Sequence, residues 1–196
     1  MRTKASLTIY FNAAICAENE FEQEYRLIVE TLEKLGHKVI SDHVFQQTLE
    51  DLKKKKPEQL QKYYHQTKRK IQKADLMVAE ISYPSTVNVG HELTLALEYN
   101  KPVLALYRTD QPPLIFWALN EDKFCVAEYS LSNLPTVIQD CLDYLSSQVD
   151  SRFNFFISPR LQNYLDLIFK KKKIPRSVYL RRLIEEDMAK NKDLVD

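Results

Sequence analysis

The sequence predicts an α/β fold built on five parallel strands, followed by a small C-terminal unit. Short apolar runs occur at residues 7–11, 76–81 and 103–107, and segments with helical spacing of apolar side chains separate them. The runs at 76–81 and 103–107 are apolar at nearly every position. Such runs are typical of central strands in a parallel sheet that is covered by helices on both faces.

Strands and helices alternate through the first half of the chain. After the strand at residues 7–11, a helix is predicted at residues 20–35, and Gly36 ends it. Residues 38–40 extend again, and residues 58–74 return to a helix. Between them, residues 51–57 carry four consecutive lysines and are predicted to form a solvated surface loop.

The same alternation continues after the strand at residues 76–81. A helix that contains Glu92 precedes the strand at 103–107, and a short helix is predicted at 112–119. A strand at 124–127 and a helix at 131–145 complete the domain. The prediction for residues 1–148 is therefore a five-stranded parallel sandwich of the Rossmann or flavodoxin-like type.

Residues 151–196 are predicted to form a separate strand-helix-helix unit. Residues 152–157 alternate in polarity like a half-buried strand, residues 160–171 are helical, and Ser177 is suited to cap a second helix. This segment carries 11 basic and 6 acidic residues, whereas the rest of the chain is acidic. A basic segment of this kind either meets nucleic acid or is simply solvated.

Composition excludes several classes of protein. The chain has only two glycines, so it lacks a dinucleotide-binding fingerprint and a phosphate-binding P-loop. Its three cysteines are scattered, without the spacing of metal ligands or a disulfide framework. No apolar run is long enough for a signal peptide or a membrane span. We expect a soluble, cytoplasmic protein that uses no metal and no membrane.

Glu92 is the residue best placed for chemistry. In a parallel sheet, ligands bind beyond the carboxyl ends of the strands, where Glu92 is expected to gather with other polar side chains. Its position after Gly90 and His91 predicts a place in the first turn of a helix, where unpaired backbone N–H groups favour the ionised carboxylate. Acidic residues also stabilise such turns without any catalytic role, so the surroundings must decide.

Five segments together resemble a known family. They are residues 7–12, VISDHV at 39–44, ADLMVAEISYPS at 74–85, VGHEL at 89–93 and NKPVLALYR at 100–108. In this order they resemble the nucleoside 2-deoxyribosyltransferase family, and in particular its 2′-deoxynucleoside 5′-monophosphate N-glycosidase branch. The resemblance covers residues 7–145.

The resemblance implies an enzyme that cleaves the N-glycosidic bond of a deoxynucleoside or deoxynucleotide. Glu92 would attack the anomeric carbon and form a glycosyl ester, which water or a second base would resolve, as in retaining glycosidases. No cofactor is implied, and the protein is expected to be a homodimer or a higher homo-oligomer. The implied substrate-binding residues are Asn12, Asp42, His43, Glu80, Ser85, Thr86, Asn88 and Gly90.

Some of these residues have structural alternatives. Ser85 and Thr86 would hold sugar or phosphate together with backbone N–H groups of residues 88–90, but they would serve equally as a turn and a helix cap. His43 could satisfy backbone groups, and Glu80 could be a paired structural carboxylate. Both readings remain open from the sequence.

The chain departs from the family pattern at three places. Thr67 stands where the family has an aspartate, and a threonine is no general acid, so His65 nearby is a possible substitute. The first loop, residues 12–16, lacks the arginine that pairs with a 5′-phosphate. Residues 114–120 are hydrophobic where relatives supply a polar residue to a neighbouring subunit. Phe116 and Trp117 could stack on a base, but a dimer contact is favoured.

The C-terminal unit resembles a ribbon-helix-helix module over residues 152–188. If the unit binds DNA as such modules do, Arg152 and Asn154 would reach bases. Arg176 and Ser177 would then contact the DNA backbone. Dimerisation alone is the simpler role. An alternative function for the whole chain is therefore a non-catalytic nucleotide-binding sensor with a DNA-binding module, and a third is an oligomeric scaffold.

Overall fold

The structure is a computed structural model that describes residues 6–15, 18–119, 123–148, 157–172 and 176–191. The chain divides into two compact units, Met1–Asp150 and Ser151–Asp196. The first unit contains the sheet and the candidate site. The second contains two helices.

Five parallel strands form one sheet in the order β2-β1-β3-β4-β5. The strands are β1 (Thr8–Asn12), β2 (Lys38–Ile40), β3 (Leu76–Glu80), β4 (Val103–Arg108) and β5 (Phe124–Tyr129). Residues of β3 and most residues of β4 are buried, as their apolar sequences predict. The predicted five-stranded parallel α/β fold is confirmed.

Helices cover both faces of the sheet. They are α1 (Glu18–Lys34), α2 (Asp42–Phe45), α3 (Leu49–Lys53), α4 (Pro57–Lys73), α5 (Val87–Glu98) and α6 (Leu134–Gln148), with a 3₁₀ helix at Leu114–Ala118. One core lies under α1 and α6 and includes Phe11 and Val78. The other lies under α4 and α5 and includes Tyr10 and Ala79. Alternate residues of one strand therefore enter different cores.

The segment predicted as a solvated lysine loop contains a helix. Thr48 caps α3: its hydroxyl accepts from the backbone N–H of Asp51, and the Asp51 carboxylate accepts in return from the backbone N–H of Thr48. This capping box stabilises a short helix although none of its residues is buried. The expectation of a loop at residues 51–57 was wrong for its first part, and α3 supplies one wall of the cavity described below.

In the C-terminal unit, α7 (Pro159–Lys172) and α8 (Arg176–Lys190) agree with the two predicted helices. The predicted strand at residues 152–157 lies almost entirely outside the described residues, and Ile157 has no regular secondary structure. Across the described parts of the chain, no helix has the length and apolar character needed to cross a membrane.

Candidate active site

A cavity of about 400 Å³ opens at the carboxyl end of β1, beside α3, α4 and the start of α5. This volume is within the range of small-molecule sites, and the position is where parallel α/β sheets bind ligands. Its lining residues are Asn12, Ala13, Ile15, His43, Leu49, Leu52, Lys53, Leu60, Tyr63, Tyr64, Thr67, Thr86, Asn88, Val89, His91 and Glu92. The lining is mainly apolar and aromatic, with a few polar groups.

Glu92 lines this cavity and is hydrogen-bonded to Tyr10. The Tyr10 hydroxyl donates to Glu92 Oε2 over 2.9 Å, from the centre of β1 to α5. Burial and the nearby Glu92 charge raise the pKa of Tyr10 well above its usual value, so the phenol stays a donor. Sequence reasoning missed Tyr10, although its alternation with Ile9 and Phe11 places it on the same face of β1 as Asn12.

The protonation of Glu92 differs from the expectation. The helix begins at Val87 and is capped by Thr86, so Glu92 lies in its second turn rather than in the first, where the N-terminal field is strongest. Burial raises the pKa of Glu92 to about 7, and the hydrogen bond from Tyr10 and the charge of Lys70 offset this only in part. The carboxyl is therefore poised near neutrality instead of being held fully ionised.

Lys70 does not clamp Glu92. Its Nζ lies 2.8 and 3.2 Å from the two carboxylate oxygens of Asp42, and this contact lowers the pKa of Asp42. Asp42 does not line the cavity. The structure therefore assigns Asp42 to an ion pair with Lys70 that leaves Glu92 accessible, and not to the substrate-facing position expected from the sequence.

His43 lines the cavity and stacks on Tyr10, with ring centroids 4.6 Å apart and an interplanar angle of 15°. The side chain is buried. Neither ring nitrogen makes a hydrogen bond of good geometry among the described residues, although the Phe11 backbone lies near enough to raise the pKa of the ring slightly. Burial, reinforced by the charge of Lys70, lowers the pKa of His43 to about 4. The structure therefore places a neutral, buried imidazole at the cavity wall, stacked on the phenol that binds Glu92.

Three other predicted substrate contacts, Asn12, Thr86 and Asn88, also line the cavity. The buried Asn12 amide donates to the Val89 carbonyl over 3.1 Å, which ties β1 to the start of α5. Thr86 caps α5, its hydroxyl accepting from the Val89 backbone N–H over 3.4 Å. Thr86 therefore has the structural role that the sequence left open, at a position that also faces the cavity.

Ser85 and Gly90 are not brought to this cavity. Ser85 is exposed and borders a neighbouring depression lined by Tyr83, Val87 and Ile115. Gly90 donates its backbone N–H to the Thr86 carbonyl over 3.2 Å. Because the N–H groups of Val89 and Gly90 are used in the cap and first turn of α5, the predicted backbone anion site does not form from these two residues.

Glu80 faces the opposite side of the sheet. It shares a face of β3 with Val78, and that face packs under α1 and α6 rather than toward Glu92. Its Oε1 accepts hydrogen bonds from the backbone N–H and hydroxyl of Ser82 and, over 3.2 Å, from the Tyr129 hydroxyl. Burial raises the pKa of Glu80 to about 7. The predicted sugar contact is thus corrected to a buried structural carboxyl group.

Thr67 lies in the cavity wall, at the position that matches the aspartate of the family pattern. It is buried on α4 and lies close to the hydroxyls of Tyr10 and Tyr63. His65 is exposed and borders a different depression, with Glu58 and Arg69, on the outer side of α4. His65 and Thr67 are two positions apart on α4, and side chains at this spacing point in different directions. His65 therefore does not replace the missing acid.

Four polar or aromatic residues of the cavity, Lys53, Tyr63, Tyr64 and His91, were not selected from the sequence. Tyr64 stacks on His91 with ring centroids 5.7 Å apart, and its hydroxyl lies 3.1 Å from His91 Nε2. Tyr63 lies one residue before Tyr64 on α4, and Lys53 comes from the α3 wall. The spacing of Tyr63 and Thr67, four apart on one helix, was the available signal for a shared face.

The C-terminal residues predicted to contact DNA are only partly described. Arg152 and Asn154 lie outside the described residues. Arg176 begins α8 and forms an ion pair with Asp166 of α7, and Ser177 follows it in α8. The guanidinium expected at a DNA phosphate is therefore engaged within its own unit.

No group of three or more His, Cys, Asp or Glu side chains is arranged to hold a metal ion within the described ranges. The chemistry available at the cavity is that of one carboxyl group near neutral pKa, tyrosine hydroxyls, a neutral histidine and a lysine. A carboxylate in such a setting can act as a nucleophile or as a base.

Comparison with known proteins identifies relatives. No family model matches the chain. The chain is 31% identical to 5-hydroxymethyl-dUMP N-hydrolase of Rattus norvegicus, over 69% of this chain and 84% of the relative. It is 33% identical, over 71% of this chain and 97% of the relative, to a Nematostella vectensis protein with the provisional name 2′-deoxynucleoside 5′-phosphate N-hydrolase 1.

A solution structure of BlsM aligns with a TM-score of 0.52 and 18% identity, over 77% of this chain and all of that one, which indicates a shared fold. The two sequence relatives carry more weight, because each is over 30% identical and is covered over more than four-fifths of its length. On this basis the chain belongs to the 2′-deoxynucleoside 5′-phosphate N-hydrolase family of N-glycosidases.

Proposed function

We propose that this protein hydrolyses the N-glycosidic bond of a 2′-deoxynucleoside 5′-monophosphate. The names of the relatives support this bond and this substrate class. The observation that carries the proposal is a carboxyl group with a pKa of about 7, hydrogen-bonded to Tyr10 at the wall of a cavity of about 400 Å³. Family membership favours catalysis over the alternative of a non-catalytic nucleotide sensor.

In the proposed reaction, ionised Glu92 attacks the anomeric carbon while the bond to the base breaks. The carboxylate first stabilises the positive charge that develops on the sugar and then forms a glycosyl ester. Water attacks the same carbon in a second step and releases 2-deoxyribose 5-phosphate and the free carboxylate. A second nucleobase in place of water would give deoxyribosyl transfer.

The substrate contacts follow from the cavity wall. Asn12, Thr86 and Asn88 present polar groups near the start of α5, and the neutral His43 ring also lines the cavity. Lys53 is the only lysine or arginine among the described residues that line the cavity. We assign it the 5′-phosphate, since the first loop carries no arginine and a phosphate needs a cationic partner.

The direct test is to incubate the protein with deoxynucleosides and their monophosphates and to separate free base by chromatography. Base release by the wild type and its loss in Glu92→Gln, with the Glu80→Gln variant as a matched control, would support the proposal. Adding a second nucleobase as acceptor separates transfer from hydrolysis. Rapid quenching and mass spectrometry would detect a sugar phosphate on the peptide that contains Glu92. Release of free base that persists in Glu92→Gln would refute the role of Glu92 as the nucleophile.

We also propose that the protein is a homodimer through the surface beside Ser85. Val87 and Ile115 are 89% and 83% exposed there, and Tyr83 and Leu114 add to the same apolar patch. None of the described residues that line the patch is charged, so two copies can bury it against each other, and it adjoins the cavity at Thr86. Ultracentrifugation should show a dimer that Val87→Asp disrupts and that Leu131→Asp, at another exposed position, does not.

The C-terminal unit supports a separate proposal of DNA binding. Its excess of basic over acidic residues favours an anionic partner, although the Arg176–Asp166 ion pair opposes this role. DNA retention that weakens steeply with salt and disappears when residues 151–196 are deleted would support it. Dimers that are insensitive to salt, with no retention of DNA, would reject DNA binding and leave the unit a role in oligomerisation.

A further inference from the structure

Among the described residues that line the cavity, no carboxyl group besides Glu92 is available to protonate the departing base. A nucleobase that leaves with the electron pair of the glycosidic bond carries a negative charge. Its departure is therefore faster when a proton is supplied. Glu92 is the only carboxyl group among the described lining residues, and it is assigned to attack the sugar. Thr67 presents only an alcohol. This inference rests on the proposed function and asks which other group supplies the proton.

Tyr63 has the position that the missing acid would need. It lies four residues before Thr67 on α4, so the two side chains share one face of the helix, and both line the cavity with Glu92. The hydroxyl of Tyr63 lies close to Thr67, and the side chain is half-buried. Burial and the negative charge of Glu92 raise the pKa of Tyr63, which keeps its proton in place around neutrality.

The other candidate acids among the described lining residues are already paired or are neutral. Tyr10 donates to Glu92, and Tyr64 is paired with His91. Lys53 is paired with Glu50 over 2.8 Å. Burial lowers the pKa of His43 to about 4, so it is a neutral ring at the pH where Glu92 ionises. His65 borders a different depression.

We propose that the Tyr63 hydroxyl donates the proton to the departing base, at the position in the cavity wall next to Thr67. In the first step the glycosidic bond breaks, its electron pair passes to the base nitrogen, and the Tyr63 proton moves to the base as Glu92 bonds to the anomeric carbon. In the second step water attacks that carbon, the Glu92 ester bond breaks, and the water proton returns to the Tyr63 oxygen. The net reaction adds one water and yields neutral base and sugar phosphate.

The test compares Tyr63→Phe with the wild type on bases of different leaving ability. The substrates are 2′-deoxyuridine 5′-monophosphates that carry methyl, hydrogen or fluorine at carbon 5, and 7-methyl-2′-deoxyguanosine 5′-monophosphate. The last base is already cationic and leaves without a proton. Tyr64→Phe is the matched control, because it removes the neighbouring hydroxyl on the same helix.

We expect Tyr63→Phe to reduce kcat about 100-fold or more on the methyl and hydrogen substrates, less on the fluorinated one, and less than about fivefold on the methylated guanine. Cleavage of the methylated guanine substrate shows that Tyr63→Phe is folded. Tyr64→Phe should leave the ranking of the substrates by kcat as it is in the wild type. An equal loss on all substrates, or no loss, would overturn the role of Tyr63. A wild type that releases no base from any of them would refute the proposed function, and this inference with it.

Discussion

Tyr10 and Glu92 form a hydrogen bond of 2.9 Å between two residues that are 82 positions apart in the chain. The bond joins the centre of β1 to the second turn of α5 and sets the orientation of the carboxyl group at the cavity wall. The same phenol stacks on His43, so one side chain of the strand fixes both polar groups. The site is therefore organised by β1 as much as by the loop that precedes α5.

Removal of the Tyr10 hydroxyl should make Glu92 harder to ionise. The hydrogen bond from Tyr10 lowers the pKa of Glu92 against the effect of burial, so Tyr10→Phe should raise that pKa. The acid limb of the kcat/KM profile should move to higher pH by about one unit, which corresponds to a hydrogen bond of about 1.4 kcal/mol to a charged group. An unchanged limb, measured from pH 5 to 9 beside the wild type, would show that Tyr10 does not tune the pKa of Glu92.

Glu92 should destabilise the fold at alkaline pH. Its pKa rises from 4.5 to about 7 on folding, so the folded state holds the proton more tightly than the unfolded chain. No cost arises below pH 4.5, the cost grows between pH 4.5 and 7, and it is complete above pH 7. Glu92→Gln keeps an acceptor for Tyr10 and removes the buried charge.

We therefore expect Glu92→Gln to raise the free energy of unfolding by about 1–3 kcal/mol at pH 8 and by less than about 1 kcal/mol at pH 4.5. Urea denaturation at both pH values measures the difference. A gain that is the same at both values would mean that the substitution acts through packing and not through the carboxyl charge.

The layout of the sheet was predictable because its central strands are buried on both faces and their apolar runs are nearly unbroken. The same property hides which face of each strand carries the site. Glu80 and Ala79 both belong to an apolar strand, and nothing in the alternation distinguishes the face under α1 and α6 from the face under α5. The sequence therefore left open whether Glu80 contacts substrate or is a structural carboxyl group.

Glu92 was located by its sequence motif, but its protonation was not predictable. That property depends on where α5 begins, and the cap formed by Thr86 starts the helix at Val87, which puts Glu92 in the second turn and not in the predicted first turn. It depends further on burial by distant segments and on Tyr10. Such contacts join residues far apart in sequence, and spacing within one element carries no information about them.

Lys53 should control recognition of the 5′-phosphate. Its Nζ lies 2.8 Å from Glu50 Oε1 in an exposed i,i+3 pair, which a phosphate would displace at low cost. Lys53→Ala should raise KM for the monophosphate about tenfold, with little change for the nucleoside. Glu50→Gln frees the lysine, so it should leave the monophosphate KM equal or lower. Parallel increases of KM for both substrates in Lys53→Ala would show that Lys53 acts on the nucleoside part and not on the 5′-phosphate.

Glu80 should matter for stability and not for substrate contact. Its Oε1 accepts from Ser82 and from the Tyr129 hydroxyl, so Glu80→Ala leaves these donors buried without a partner. We expect a loss of about 2–4 kcal/mol in the free energy of unfolding, whereas Glu80→Gln, which keeps an acceptor oxygen, should lose less than half of this. For the folded fraction of either variant, KM should equal that of the wild type. An increase in KM for Glu80→Gln without a loss of stability would return Glu80 to the substrate site, and the assignment of the two faces of β3 would then be wrong.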